Sequence, residues 1–340
     1  MITLFAPTEM NMATGYGKVE AGLLQGFVAL GTRVTTAFPT LAKKGEAKYA
    51  TKKIGGTVLV AGSPEWGNRI TDSDRLVSFT MSESTRVSKG WVDALNERFE
   101  AVCVPCPPLV EVYRDSGVQI PIHYVPLGVD LNPPHLTSRR PYPAEFTFLA
   151  YTLGDMRKGA HLAMLAFDRL FRDKPGVRLI IKARDGWDNM WIAGLDEPHI
   201  EVIGGETSEA DWHALLARVQ CLVFPSYGEG FGLPPREAVL AGLPVIATRW
   251  LGLWDVEKWG YALPVGRMLP AQFGVHDANA EGAEWAEADI EALDRQMLYV
   301  HRHYAHALLQ ARRGRVYLME HFTWKKSARE ILRVIGEEGR

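Results

Sequence analysis

Along the first 126 residues, short apolar runs alternate with longer amphipathic stretches. The runs at 2–6, 33–38, 57–61, 76–81, 101–105 and 122–126 have strand length and are apolar at nearly every position. Between them, 16–30, 88–99 and 108–116 carry helical patterns. Strands separated by helices predict βαβ units, and strands apolar on both faces predict a parallel sheet covered on both sides. The rhythm breaks over 128–143, where Pro133, Pro134, Arg139, Arg140, Pro141 and Pro143 replace the apolar runs, so a linker is expected there. It then restarts, with strands at 146–151, 177–183, 200–203, 221–225, 244–247 and 261–264. Helices are expected at 159–171, 209–219, 234–241 and, after a Gly/Ala-rich loop, from 288 to 304 and beyond. The chain therefore reads as two doubly wound α/β domains, 1–140 and 141–320, followed by a closing segment, 321–340. In such sheets ligands bind outside the carboxyl ends of the strands.

Composition narrows this only slightly. With 340 residues, 47% hydrophobic and 23% charged, the chain is of ordinary globular make-up, and a net charge of -2 gives no global attraction to nucleic acid or anionic membrane. One local exception stands out: Lys43, Lys44, Lys48, Lys52 and Lys53 face a single acid, Glu46, between the second and third strands. Such a loop either meets an anionic acceptor or is simply a solvated, polar connection. No basic, apolar leader opens the chain and no run approaches about 18 apolar residues, so neither a signal peptide nor a transmembrane segment is expected. Three cysteines cannot build a disulfide framework; a reducing, cytoplasmic setting is expected, with attachment to a membrane surface left open. Cys103 and Cys106 form a lone CxxC, read as a strand running into a Pro-Pro turn. His301, His303 and His306 do not share one helix face, so no metal site is expected from them.

The densest chemistry lies in Phe224-Pro-Ser-Tyr-Gly-Glu229-Gly-Phe-Gly-Leu-Pro-Pro-Arg-Glu237. A buried strand ends, glycines at 228, 230 and 232 follow, and Pro234-Pro235 open a helix where a missing N–H costs nothing. Free N–H groups at such a helix start make an anion site. Glu229 in the loop and Glu237 in the expected first turn add carboxylates, which suit paired hydroxyls rather than phosphate. A second element, Leu153-Gly-Asp-Met-Arg157-Lys158-Gly159, joins the first strand and helix of the second half. A third, Thr14-Gly15-Tyr16-Gly17-Lys18, does the same in the first half, and Phe79-Thr-Met-Ser-Glu83-Ser84 follows a first-half strand. Trp66 sits at another strand end, where packing is the plainer expectation.

On these motifs the chain resembles the retaining GT-B glycosyltransferases of family 4, also called glycosyl transferases group 1. The resemblance is carried by Glu229 and Glu237 with the Glu-Gly-Phe-Gly and Glu-Ala elements, and is strongest over about 154–245. It implies a GT-B fold of two Rossmann-like domains facing a cleft, with the closing helix at 322–332 crossing back to the first domain. It implies that Glu237 holds the donor ribose, and that Glu229 holds hydroxyls of the transferred sugar with the N–H groups of Phe231, Gly232 and Leu233. Lys158, supported by Arg157, would meet the diphosphate, whose departing charge must be stabilised by groups already in place. Thr152 stands where family members often carry a further arginine, which leaves Arg157 as its replacement. Gly15 and Gly17 would close on the diphosphate or acceptor, Gly204 would adjoin the nucleobase, and Glu83 would orient the acceptor hydroxyl or take its proton.

The function implied is transfer of a sugar from a UDP- or GDP-linked donor, with UDP-glucose as the default, to an acceptor hydroxyl with retention. No cofactor beyond the nucleotide-sugar co-substrate and no metal are implied, since cations and a helix end can carry the diphosphate. The acceptor would be a glycan, a lipid-linked carrier or a hydroxylated base in nucleic acid. Two rival readings remain: a nucleotide-sugar epimerase of the same architecture, and a donor-binding partner subunit without catalysis.

Overall fold

A computed structural model of the chain describes residues 2–6, 14–39, 51–130, 132–134, 138–152, 156–183, 197–271 and 280–336. It forms two compact units: Met1–Leu131 with Gly274–Ala283 and Phe322–Arg340, and Asn132–Phe273 with Glu284–His321. The unit boundary lies ahead of residue 140 because Arg139 belongs to the second unit. Its guanidinium donates to the carbonyls of Val219 and, at 2.6 Å, Leu216.

In the first unit run β1 (Ile2–Phe5), α1 (Gly15–Val28), β2 (Val34–Ala37), β3 (Lys52–Lys53), β4 (Thr57–Ala61), β5 (Ile70–Thr71), β6 (Arg75–Phe79), α2 (Lys89–Arg98), β7 (Ala101–Val104), α3 (Pro107–Asp115) and β8 (Ile122–Tyr124). Six strands make one parallel sheet, ordered β2-β1-β4-β6-β7-β8. The strands β1, β4 and β7 are buried at every position, which is why each reads as an unbroken apolar run. β3 and β5 form a separate short ladder. Two lysines expected in a solvated loop are held there: Lys52 donates to Phe38 O at 2.8 Å and Lys53 stands 3.4 Å from Asp72. The rest of that lysine run, with Lys43, Lys44 and Lys48, lies outside the described residues.

The second unit holds β9 (Phe146–Thr152), α4 (Ala160–Phe171), β10 (Val177–Ala183), β11 (Ile200–Ile203), α5 (Glu209–Arg218), β12 (Cys221–Phe224), α6 (Leu233–Leu240), β13 (Val245–Thr248), α7 (Val256–Trp259), β14 (Tyr261–Leu263), β15 (Val265–Pro270), β16 (Glu284–Ala288), α8 (Ile290–Arg302) and α9 (Tyr304–His321). Its parallel sheet is ordered β11-β10-β9-β12-β13-β14. Phe148, Phe167, Phe171, Val223, Leu293 and Met297 fill the core between one face and α4 and α8. The stretch expected to be a loop before residue 288 instead contains the antiparallel hairpin β15–β16. α8 begins only at Ile290, because Asp289 caps it by accepting from Ala292 N at 2.6 Å.

α10 (Trp324–Val334) returns to the first unit and lies on α1. Trp324 is almost fully buried, and the approach is so close that a Cβ at Gly22 would fall 2.0 Å from its ring and one at Gly128 2.3 Å from its N. Trp324 N donates to Asp130 at 2.8 Å and Ser327 donates to Pro126 O at 2.5 Å. α1 also buries Glu20 completely; neither carboxyl oxygen meets a hydrogen-bond partner, and burial pushes the carboxyl up to about 8. Among the described residues no helix is long and apolar enough to cross a membrane.

Candidate active site

The second sheet reverses its strand order between β9 and β12. That is the switch point at which such sheets leave a crevice at their carboxyl ends, and the loops leaving these two strands carry the two main motifs. After β9, residues 153–155 lie outside the described set; a single 3₁₀ turn, Met156–Lys158, then leads into α4. Gly159 caps α4 with φ 69°, and a Cβ there would lie 2.0 Å from Pro225 O. Only glycine lets this turn close against the end of β12. The contact is sealed by Arg157 O, which accepts from Tyr227 N at 2.7 Å and has Ser226 Oγ 3.1 Å away.

Three predicted side chains converge here. Lys158 Nζ donates to Glu229 Oε1 at 2.6 Å, and Ser226 Oγ donates to the same oxygen at 2.8 Å. Arg157 Nη1 donates to Gly228 O at 2.7 Å and stands 3.5 Å from Glu229 Oε1. The three charged side chains are only 5–6% exposed, so the cations at this helix start are buried groups rather than solvated ones. Burial alone would raise the Glu229 carboxyl, but the charges of Lys158 and Arg157 and the hydrogen bonds from Lys158 and Ser226 outweigh it and hold the carboxyl below the usual range. Removing either member of such a buried pair strands the other.

The following loop and helix differ from expectation in one respect. α6 begins at Leu233, capped by Gly232 with φ 78°, so Glu237 sits in the second turn rather than the first. With Pro234 and Pro235 lacking N–H, Leu233 supplies the one donor of the opening three positions. Glu237 Oε2 accepts from Trp212 Nε1 at 2.8 Å, and Trp212 meets the Tyr151 ring edge-on at 5.6 Å. Beneath the loop lies Arg236, fully buried, ion-paired with Asp255 at 2.6 Å and set over the Phe231 ring at 4.0 Å. Gly252 braces the loop from the same side, its N–H donating to Glu229 O at 2.8 Å. Tyr227 ties the loop to the hairpin and to α4, donating to Glu287 at 2.9 Å with His161 Nε2 at 3.1 Å.

The remaining candidates are dispersed. Gly204 follows β11, where buried Lys182 donates to Gly205 O at 2.5 Å and to Ala183 O at 2.8 Å, joining the ends of two strands. Thr152 is the buried last residue of β9. Gly15, Gly17 and Glu83 belong to the first unit. The two glycines are not in a free loop but in the first turn of α1, where Gly17 N–H is already taken by the capping Thr14 hydroxyl at 3.0 Å. Glu83 lies half-buried in the bend after β6. Trp66 sits in a 3₁₀ turn after β4 beside the Phe5 ring, with centroids 6.1 Å apart. Cys103 and Cys106 are both buried and form no disulfide, and no three His, Cys, Asp or Glu among the described residues gather as a metal site.

Arg236, Asp255, Trp212, Ser226 and Lys182 escaped the sequence reading. Ser226 and Arg236 stand inside the motif but read as spacers, while the partners of Arg236 and Glu237 lie 19 and 25 residues away.

A family model described as family 4 glycosyltransferase in conflict systems matches residues 109–331. Glycogen synthase of Mycobacterium tuberculosis is 30% identical over 207 residues, 59% of this chain and 45% of the relative, so the chain spans less than half of that protein's length. Among solved structures, sucrose-phosphate synthase from Thermosynechococcus elongatus has a TM-score of 0.72 at 16% identity, covering 99% of both chains. Anabaena HepE in complex with UDP-glucose also has 0.72, at 13% identity and 99% of both. At such identities these two likenesses concern the fold, and the fold is GT-B.

Proposed function

This chain belongs to the family 4 glycosyltransferases in conflict systems, and from that premise we propose that it transfers a sugar from a nucleoside-diphosphate donor to an acceptor hydroxyl with retention of anomeric configuration. The observation that carries the reading is the buried cluster of Lys158, Arg157 and Glu229 at the switch point of the second sheet. Two cations held in a water-poor pocket are suited to the charge that develops on a departing diphosphate, because they need no reorganisation as it forms. Their counter-ion is a carboxylate whose other role is to take hydroxyls of the transferred sugar. Donor binding then exchanges partners: the lysine turns from Glu229 to phosphate while the carboxylate turns to sugar hydroxyls.

Glu237, steadied by the Trp212 indole, is read as the ribose ligand, and Gly204 as a neighbour of the base. In the first unit, Glu83 orients the acceptor hydroxyl, with Gly15 at the helix start closing over the donor. The departing phosphate assists on the same face, and cationic side chains take the place of a metal. UDP-glucose is the default donor, supported by the likeness in fold to the HepE complex.

The test is a panel of UDP-, GDP- and ADP-linked sugars incubated with the full chain and candidate acceptors, following nucleoside diphosphate release and the anomeric configuration of the product by NMR. Release with a retained product is expected. A changed sugar still attached to its nucleotide would make the chain an epimerase, and tight binding without turnover would make it a donor-binding subunit. Transfer that weakens steeply with salt while donor hydrolysis does not would identify an anionic acceptor; a flat profile would identify a neutral one.

A further inference from the structure

Arg236 is a charged side chain with no exposed surface, and nothing in the proposed chemistry uses it. Its guanidinium is sandwiched by aromatic rings, Phe231 at 4.0 Å and Trp259 at 5.0 Å, and neutralised by Asp255 at 2.6 Å. Besides Asp255, it donates to the carbonyls of Phe231, of Gly232 at 3.4 Å and of Gly252 at 3.0 Å. In a trans peptide the carbonyl and the next N–H point in opposite directions. With the Phe231 and Gly232 carbonyls drawn toward Arg236, the N–H groups of Gly232 and Leu233 are turned to the other face of the loop. Gly252 does the same one step earlier, since its bond to Glu229 O turns the Gly230 N–H outward. The prolines at 234 and 235 leave no further donor in that turn, so the direction of these few amides decides what the loop can hold.

We infer that Arg236, locked by Asp255, is the positioning residue that aims the Gly232 and Leu233 amides at the sugar portion of the donor. This rests on the reading of the site as a nucleotide-sugar site. A rigid planar fork is needed to take adjacent carbonyls and a carboxylate at once; a lysine keeps the charge but not the fork. Arg236→Lys therefore should leave nucleotide binding in place and loosen the sugar.

The experiment measures, by calorimetry, the affinity of the wild-type chain and Arg236→Lys for UDP and for UDP-glucose, together with kcat for donor hydrolysis; the GDP and ADP pairs are run alongside. For the pair that the wild type binds, the variant should keep its affinity for the free nucleotide within about twofold. It should lose roughly tenfold in affinity for the nucleotide sugar and at least as much in kcat, as expected for two modest hydrogen bonds. Loss of affinity for nucleotide and nucleotide sugar alike would reduce Arg236 to a structural brace and overturn the inference, as would an unchanged ratio in a folded variant. Should Arg236→Lys not fold, Asp255→Asn carries the same readout, since it keeps every donor of the fork and removes only its lock. A wild-type chain that binds none of the nucleotide sugars overturns the parent reading, whereas one that binds and turns over a donor with these ratios unmoved overturns only the role of Arg236.

Discussion

At the scale of single residues, Lys158 shows how a site's chemistry and its stability are bound together. Because it is buried against Glu229 at 2.6 Å, Lys158→Met should lower turnover about ten- to hundredfold, the worth of one charge-assisted bond, and also destabilise the second unit by about 3 kcal/mol. The depressed Glu229 carboxyl gives stability that is fully present above the ordinary carboxylate range and is lost as pH falls through its lower folded value. The difference in unfolding free energy between wild type and Lys158→Met should accordingly shrink in acid. The double variant Lys158→Met/Glu229→Gln should be more stable than either single one; strict additivity in denaturant titrations would mean that the pair is not coupled. Glu20 works in the opposite sense. Its carboxyl is raised from 4.5 to about 8, so the folded state holds a proton that the unfolded chain releases, and stability declines as pH climbs from about 4.5 to 8. Glu20→Leu should therefore stabilise the first unit more at pH 8 than at pH 4, the gain growing as pH rises from about 4.5 to 8. A gain independent of pH would show that packing, not ionisation, is responsible.

Among the elements, glycine positions separate architecture from ligand contact. Gly159→Ala places a Cβ in a left-handed turn 2.0 Å from Pro225 O and should destabilise by at least 2 kcal/mol, moving Lys158 with it. Gly15→Ala meets nothing within 4 Å and should leave stability unchanged or slightly higher by thermal melting. If Gly15 closes on the donor, that same variant should still lose activity; full activity would remove it from the site. The elements also show what a single sequence can convey. Buried parallel strands such as β9 and β12 were legible because both faces need apolar residues, and Lys158 and Glu229 were legible because the loops that follow these strands carry the Lys-Gly and paired-glutamate motifs on which the chain resembles family 4. The hairpin β15–β16 was not, since β15 is exposed almost throughout and carries no apolar period. The start of α6 was misplaced by one residue because Gly232, not a proline, sets the cap. Arg236 with Asp255, and Trp212 with Glu237, were invisible for a different reason: they are tertiary pairs, and chain spacing holds no record of them.

For the whole molecule, two units with separate cores predict two unfolding transitions that respond differently to ligand. A donor present at 100 times its Kd should raise the unfolding free energy of the second unit by about 2.7 kcal/mol. Calorimetry of the full chain should show that transition moving upward, and a shift confined to the other transition would put the donor site elsewhere. Turnover should survive excess EDTA; complete loss restored by added metal would overturn the reading in which Lys158 and Arg157 alone face the diphosphate.

The return of α10 to the first unit has a consequence for the order in which the molecule is completed during synthesis. β1 and α1 leave the ribosome long before α10, so the surface of α1 around Gly22 and Gly26 waits for Trp324 to cover it. The second unit has its last segment by His321, so the later half of the chain can finish folding before the earlier half does. A nascent chain released just short of Trp324 would carry a finished second unit beside a first unit with an open apolar seam, a species bound for chaperones or aggregates rather than for partial activity.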